Sequence, residues 1–296
     1  MIKRVTIIGA GKVGSALATR LKHAVVDVRV VRHNEFDEWC ASNEPTGDVV
    51  VIAVRDTDVK HVAEALIRCW QVGVENNSMQ TGRPASDSPT HDRFANILVL
   101  HVNGSMRLDV LQACADAGAR VGAAHPFQTF GDADESALDG IGWGIECADA
   151  EWPLMKEFVK LTAGVPHRLV LVDDEHKRVY HTAAIAASNY TYAAYEHARR
   201  LAQHAGIPLD VFLLPIMERT YRNAARAIEE DVAFPLTGPI QRGDVAAVTR
   251  QLASMPDAEK LVYIHLSLAL LNINKTTMTV ATFETMSSLL MNGLKL

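Results

Sequence analysis

One hexapeptide constrains this chain more than any other feature. Gly9-Ala10-Gly11-Lys12-Val13-Gly14 follows a β-branched stretch with Val5, Ile7 and Ile8, and it precedes Ala16, Leu17 and Leu21 at helical spacing. The local order is therefore strand, glycine turn, helix. Each glycine has a separate job in such a unit. Gly9 permits the tight turn, Gly11 lets backbone approach a pyrophosphate, and Gly14 lets the helix pack on the strand. The unpaired N–H groups and dipole at the start of the helix then attract phosphate. Gly9, Gly11, Lys12, Val13 and Gly14 are accordingly expected to contact a dinucleotide.

The pattern downstream extends this unit into a sheet. Residues 25–32, then "DVVVIAV", "NILVLHVNG", "ARVGAAHPFQ", "GIGWGIEC" and "HRLVLVDD" read as strands. The helical stretches "DTDVKHVAEALIRCW", "MRLDVLQACADAG" and "EWPLMKEFVKLTAG" separate several of them. Strands alternating with helices of this length imply parallel βαβ units and a doubly wound sheet. After Asp174 no convincing strand remains. A helix over about 175–205 is followed by four more helical segments, starting at "PLDVFLLPIMERTYRNAARAIEE" and ending at "ATFETMSSLLMNG". The expectation is an α/β fold: a Rossmann-type, mostly parallel sheet over 1–172, then an all-α domain over 173–296. "ENNSMQTGRPASDSPTHD", residues 75–92, is polar, aperiodic and holds two prolines, so it is expected to be a mobile surface loop.

Composition excludes several classes of function. A net charge of −6 lacks the basic field that a nucleic-acid partner needs. No stretch approaches the roughly 20 apolar residues of a membrane span. The four cysteines, Cys40, Cys69, Cys114 and Cys147, are scattered without a CxxC. They read as unpaired thiols, suited to a reducing cytoplasm, and no metal-ligand spacing occurs among the 12 histidines.

Ligands of open α/β sheets bind at the carboxyl ends of the strands. At the end of the second strand, a site for the ribose 2′-hydroxyl of NAD usually carries Asp or Glu. Here Arg32 stands there, followed by His33 and Asn34, with Glu35 already in the loop. An arginine suits a 2′-phosphate, so NADP is favoured over NAD, with Arg32 and His33 reading it. Val54 and Arg55 at the end of the third strand are further cofactor contacts. "LHVNGSM" and "AAHPFQTF" end two later strands, so Asn103 falls near the nicotinamide, Ser105 near a substrate, and His125 serves either catalysis or a turn. His101 is expected to pack within its strand.

The helix "VYHTAAIAASNY", residues 179–190, is rich in alanine yet carries His181, Ser188 and Asn189 along one flank. Seven residues at 100° each return Ser188 to within about 20° of His181. Small residues allow close approach to a ligand. Reduction of C=O or C=N needs a proton on the heteroatom, which His181 is able to supply near neutral pH, with Asn189 and Ser188 orienting the substrate. "LTGPIQRGD", residues 236–244, is a turn between helices in which Asp244 caps the next helix. Arg242 there is a candidate anion clamp, its planar fork matching a carboxylate.

"AAHPFQTF", "YHTAAIAASNY", "AGIP" and "LTGPIQRGD", in this order, resemble a bacterial family of predicted NADP oxidoreductases. Its members carry a Rossmann-like domain followed by a helical domain of unknown function. The plan is similar to the 6-phosphogluconate dehydrogenase-like superfamily, which includes pyrroline-5-carboxylate reductase, prephenate dehydrogenase and deazaflavin-dependent NADP reductases. The resemblance implies a substrate between the domains, beside the first long helix of the second. The family usually has Thr-Ser-Gly where this chain has Asn103-Gly104-Ser105.

These readings converge on an NADP-dependent oxidoreductase acting on a small carbonyl, imine or hydroxy acid. The alternative is a non-catalytic dinucleotide-binding sensor or scaffold, for which a polar flank on the helix has no use. "LVYIHLSLALLNI", residues 261–273, is apolar almost all round and therefore expected to be buried on every side. With the other apolar helical faces, and with superfamily members whose helical domains commonly dimerise, it points to a homodimer built through the helical domain.

Overall fold

The computed structural model describes residues 1–42, 44, 46–81, 94–169 and 173–294. The chain forms two compact units, Met1–Ile185 and Ala186–Leu296. The change from strands to helices alone lies near the expected 172/173. The packing boundary lies further on, because the first turns of the long helix belong with the sheet.

The first unit is built on seven strands: β1 (Arg4–Ile8), β2 (Asp27–Val31), β3 (Val49–Ile52), β4 (Leu98–His101), β5 (Arg120–Pro126), β6 (Gly142–Cys147) and β7 (Val165–Arg168). Their order is β2-β1-β3-β4-β5-β6-β7, with β1 to β5 parallel. The chain leaves β1 in one direction to β2 and returns past it to β3, so the order reverses between β1 and β3. The crevice at that reversal is where open sheets of this kind bind ligands.

Alternation along each strand feeds two cores. Val5, Ile7, Val49, Val51, Leu98 and Leu100 face α1 (Lys12–His23). Ile8, Val50, Ile52 and Val99 face the other way, toward Trp39 of α2 (Phe36–Ala41) and toward α3 (Val59–Thr81) with Ala63 and Leu66. Each such apolar side chain contributes about 1.5–3 kcal/mol through burial.

Three local expectations are corrected here. Helix α3 continues to Thr81, so 75–81 are helical, and the rest of the expected loop, 82–92, lies outside the described residues. The expected helix after β4 is a 3-10 turn, Leu108–Leu111, followed by the short α4 (Gln112–Asp116), which gives way to Gly118 at φ 91°. Strand β7 starts at Val165, where it meets Gly142 at the beginning of β6, and 170–172 of the expected strand lie outside the described residues. The cysteines bring a fourth correction. Cys40 and Cys69 form a disulfide between α2 and α3, with Cα atoms 5.2 Å apart, while Cys114 and Cys147 are free.

Strand β6 runs antiparallel to β5, with His125 opposite Gly144 and Ala123 opposite Glu146. Between β6 and β7 lies α5 (Trp152–Leu161). The helix after β7, α6 (Asp174–His204), meets Glu146 through Lys177 and Gly144 through Tyr180. It therefore climbs alongside β5 and reaches the level of His125 in its second turn.

The second unit is helical: α7 (Leu214–Glu229), α8 (Pro239–Arg242), α9 (Val245–Ser254), α10 (Asp257–Ile273) and α11 (Val280–Gly293), with the rest of α6. Ile240, Val248, Ile264, Leu271, Met286 and Leu290 form its core. Asp244 caps α9, its carboxylate accepting the N–H of Ala247 at 2.9 Å, as expected. Helix α10 departs from expectation. One flank is buried, but Leu261, Val262, Leu266, Leu270 and Ile273 are exposed in the single chain. Among the described residues no helix is long and apolar enough to cross a membrane.

Candidate functional site

The glycine turn has the geometry its spacing implies. Gly9 sits at φ 114°, a conformation that disfavours a side chain, and a methyl group there would overlap the carbonyl of Ala53 just past β3. One on Gly14 would overlap the carbonyl of Gly9, so helix and turn touch backbone to backbone. Gly11 has open space where a side chain would be and is the N-cap of α1, which no side chain caps. Lys12 is exposed and Val13 half-buried beside it. The first-turn N–H groups thus face an uncluttered surface, the arrangement that suits a pyrophosphate.

The N–H of Gly9 donates to the carbonyl of Val31 at 2.9 Å, which brings the end of β2 next to the turn. There the expectation of an arginine without an acid is corrected. A 3-10 turn, His33–Glu35, folds Glu35 back so that its carboxylate accepts the N–H of Arg32 at 3.3 Å and Nη1 of Arg32 at 3.0 Å. His33 is exposed at the start of this turn. At the end of β3, Val54 is half-buried, and the exposed Arg55 pairs with Asp58 at 3.3 Å.

The loop after β4 is folded by one carboxamide. Oδ1 of Asn103 accepts the N–H of Ser105 at 2.7 Å, the hydroxyl of Ser105 at 2.9 Å and the N–H of Met106 at 2.9 Å. Both ring nitrogens of the buried His101 are occupied, Nδ1 by the N–H of Asn103 and Nε2 by the carbonyl of Arg107. Burial lowers its pKa to about 4, so it is neutral and structural, as its strand position suggests. The hydroxyl and the carboxamide oxygen nominated for ligand contact are spent on holding this turn.

What the turn sets against the two histidines is the buried Gly104. A methyl group on it would overlap Nδ1 of His181 and stand 2.7 Å from both Cε1 and Nε2 of His125. His125 is buried near the end of β5, its Nδ1 bonded to the Tyr180 hydroxyl at 3.0 Å and its ring centroid 5.5 Å from that of His181. Burial, reinforced by the charges of His181, Lys177 and His101, lowers its pKa to about 3. Burial pushes Tyr180 up to about 12. Nδ1 of His181 is buried and has no hydrogen-bond partner among the described residues. Beneath them Lys177, fully buried, places Nζ 3.5 Å from Oε2 of Glu146, and Arg107 reaches Oε1 of the same carboxylate at 3.1 Å. Burial holds the Lys177 ammonium below its ordinary pKa despite Glu146.

The structure therefore brings together His125, His181 and Gly104, and adds Tyr180, Lys177 and Glu146, which the sequence reading did not nominate. The missed signal was available: Lys177 and His181 are four apart and so share a helix face. Ser188, Asn189 and Arg242 belong to the second unit. The Ser188 hydroxyl lies 3.3 Å from Oδ1 of Asn189, Asn189 is exposed, and Arg242 ends α8 exposed. A groove of about 550 Å³ in that unit is lined by Tyr192, Tyr195, Arg199, Leu213 and Met217 among others, and includes none of the nominated residues.

Residues 141–270, from the head of β6 into α10, match the model of a domain of unknown function (DUF2520). The matched span takes in β6, β7 and the long helix, and β1 to β5 precede it. Solved structures share the fold. A candidate NADP oxidoreductase from Bacteroides fragilis is 21% identical, with 93% of this chain and 98% of that one covered and a TM-score of 0.67. A protein from Thermotoga maritima is 19% identical over 92% and 99%, TM-score 0.58. A reductive aminase from Aspergillus terreus, solved with NADPH and ethyl-5-oxohexanoate, is 15% identical over 100% and 94%, TM-score 0.53. No curated protein matches the chain in sequence. The fold is thus the Rossmann-type sheet with a helical C-terminal domain anticipated from the sequence motifs.

Proposed function

We propose that this protein is an NADP-preferring oxidoreductase that interconverts a small carbonyl or imine with its reduced alcohol or amine. The observation that carries the reading is the meeting of Gly104, His125, Tyr180 and His181 at the carboxyl ends of β4 and β5, on the sheet whose β1 end carries the uncapped glycine turn. The fold shared with a reductive aminase solved with NADPH supports it. Gly9, Gly11 and Gly14 would hold the pyrophosphate, and Arg32 would meet the 2′-phosphate. When bound, the cofactor supplies or accepts the hydride.

The protein's own part is the proton and the placement. Nδ1 of His181 lacks a partner among the described residues, and a buried polar atom left alone costs about 1–3 kcal/mol. A substrate oxygen or nitrogen that met Nδ1 once the His181 ring turned away from Gly104 would supply that partner and receive the proton from it. Tyr180, held by His125, fixes the other side of this space. His125 stays neutral across the physiological range, so it holds the Tyr180 hydroxyl as a hydrogen-bond partner rather than as a charge. The exposed apolar side chains of α10, together with Val211, Phe212, Leu214 and Ile216, favour a homodimer formed by the helical unit.

The test starts with NADPH and NADH titrations and a panel of carbonyls, imines and hydroxy acids. His181→Ala is expected to retain dinucleotide affinity and to lose turnover by about 10²–10⁴-fold. Unchanged turnover removes His181 from the mechanism. A wild type that binds NADPH but turns over nothing on the panel favours the sensor reading instead.

A further inference from the structure

We infer that Glu35, through its hold on Arg32, sets how steeply this protein discriminates NADP from NAD. The inference rests on the dinucleotide reading above and deepens it. Two opposed readers stand at one place. A carboxylate at the end of the second strand selects the ribose diol of NAD, and an arginine there selects the 2′-phosphate of NADP. Here both are present, and they are bonded to each other.

The geometry decides which is free to act. Both Glu35 oxygens are engaged, Oε2 by the N–H of Arg32 and Oε1 by its guanidinium. Glu35, the last residue of the 3-10 turn His33–Glu35, thus reaches back to the residue that precedes the turn, and its own N–H donates to the carbonyl of Arg32 at 3.0 Å. The two hydrogen bonds from Arg32 keep the Glu35 carboxyl below the usual carboxylate range, so it is charged at neutral pH. The ribose diol would therefore find a carboxylate each of whose oxygens already accepts a hydrogen bond from Arg32 and is held towards it. A 2′-phosphate would find a guanidinium that must first be drawn from its carboxylate, and that carboxylate would remain as a like charge nearby. Glu35 is thus a positioning residue: it withholds Arg32 and leaves the wild type with a shallow preference for NADP.

The experiment is a fluorescence titration of NADPH and NADH against wild type, Glu35→Gln, Arg32→Ala and the double variant. Glutamine keeps an oxygen for the Arg32 N–H, so the turn survives, and thermal melting of each variant confirms the fold. Glu35→Gln is expected to tighten NADPH roughly three- to fivefold, the worth of an exposed ion pair, while NADH changes less than about twofold. The gain is expected to vanish in the Arg32→Ala background. An unchanged NADPH-to-NADH ratio overturns the inference, as does weaker NADPH binding in Glu35→Gln. A gain that persists without Arg32 also overturns it, because Glu35 would then act by bare repulsion of the phosphate. A folded wild type that binds neither dinucleotide removes the oxidoreductase reading itself, a result distinguishable from all of these.

Discussion

Gly104→Ala is the sharpest probe of the space between His125 and His181. The change adds one methyl group, lies away from the glycine turn and replaces no titratable side chain. That methyl would stand 2.7 Å from Cε1 and Nε2 of His125 and would overlap Nδ1 of His181, whereas real Cβ contacts almost never fall under 3.0 Å. To reach an ordinary contact the His125 ring must retreat by roughly 0.7–1.3 Å, and His181 by more. His125 is packed against Phe127 and Tyr180, so the half-buried His181 is the ring that yields. A misplacement near 1 Å at a reacting group costs about 10² in rate. The expected outcome is a folded protein with wild-type NADPH affinity and turnover lowered about 100-fold on whichever substrate the panel identifies. Stopped-flow NADPH oxidation and cofactor titration measure both quantities. Undiminished turnover would refute the reasoning, since it would place the chemistry somewhere that the methyl group does not reach.

Three further outcomes follow from other parts of the molecule. Imidazoles of the unfolded chain titrate near 6.5, whereas His101 and His125 do so at about 4 and about 3, so the folded chain binds fewer protons and stability is lost as pH falls from 6.5 towards those values. By pH 5 the loss relative to pH 7 is about 2 kcal/mol per histidine, and urea denaturation at both pH values that returned equal stabilities would contradict their burial. Cutting the Cys40–Cys69 link, which spans 29 residues, is expected to destabilise the chain by about 3–4 kcal/mol, seen as a lower melting temperature of Cys40→Ser; equal melting of variant and wild type without reductant would speak against the link. Light scattering is expected to give twice 32.3 kDa at micromolar concentration, and a mass of one chain would rule the dimer out.

Local signals made much of this fold legible. The strand, glycine turn and helix at the N-terminus follow from spacing and backbone freedom alone, and the long helix found at Asp174–His204 was placed within a residue at each end. What stayed hidden depends on distant packing. Nothing near Cys40 or Cys69 advertises their pairing, since it arises only when α2 and α3 cover the same face of the sheet. Glu35 read as a loop residue because the 3-10 turn that folds it back lies outside any periodic pattern. In the long helix, reading forward from His181 led to Ser188 and Asn189, while the helix residues that join it at the sheet, Lys177 and Tyr180, precede it. The all-apolar stretch in α10 was taken as buried on every side, but a single chain covers only part of it.

The course of α6 beside β5 and β6 has a consequence for how sequences of this kind can vary. Lys177, Tyr180 and His181 occupy one face because they are three and four residues apart, and the face is matched to fixed rungs of the sheet at Glu146 and Gly144. One residue inserted or deleted between Asp174 and Lys177 would rotate all three by about 100° and carry them along the axis by about 1.5 Å, emptying the site in a single event. An insertion at the exposed turn around Asp132, in the connection from β5 to β6, leaves that phase untouched. Length variation among related chains should therefore gather before the helix and stop at its first turn, so that the spacing from helix start to histidine serves as a ruler for aligning them.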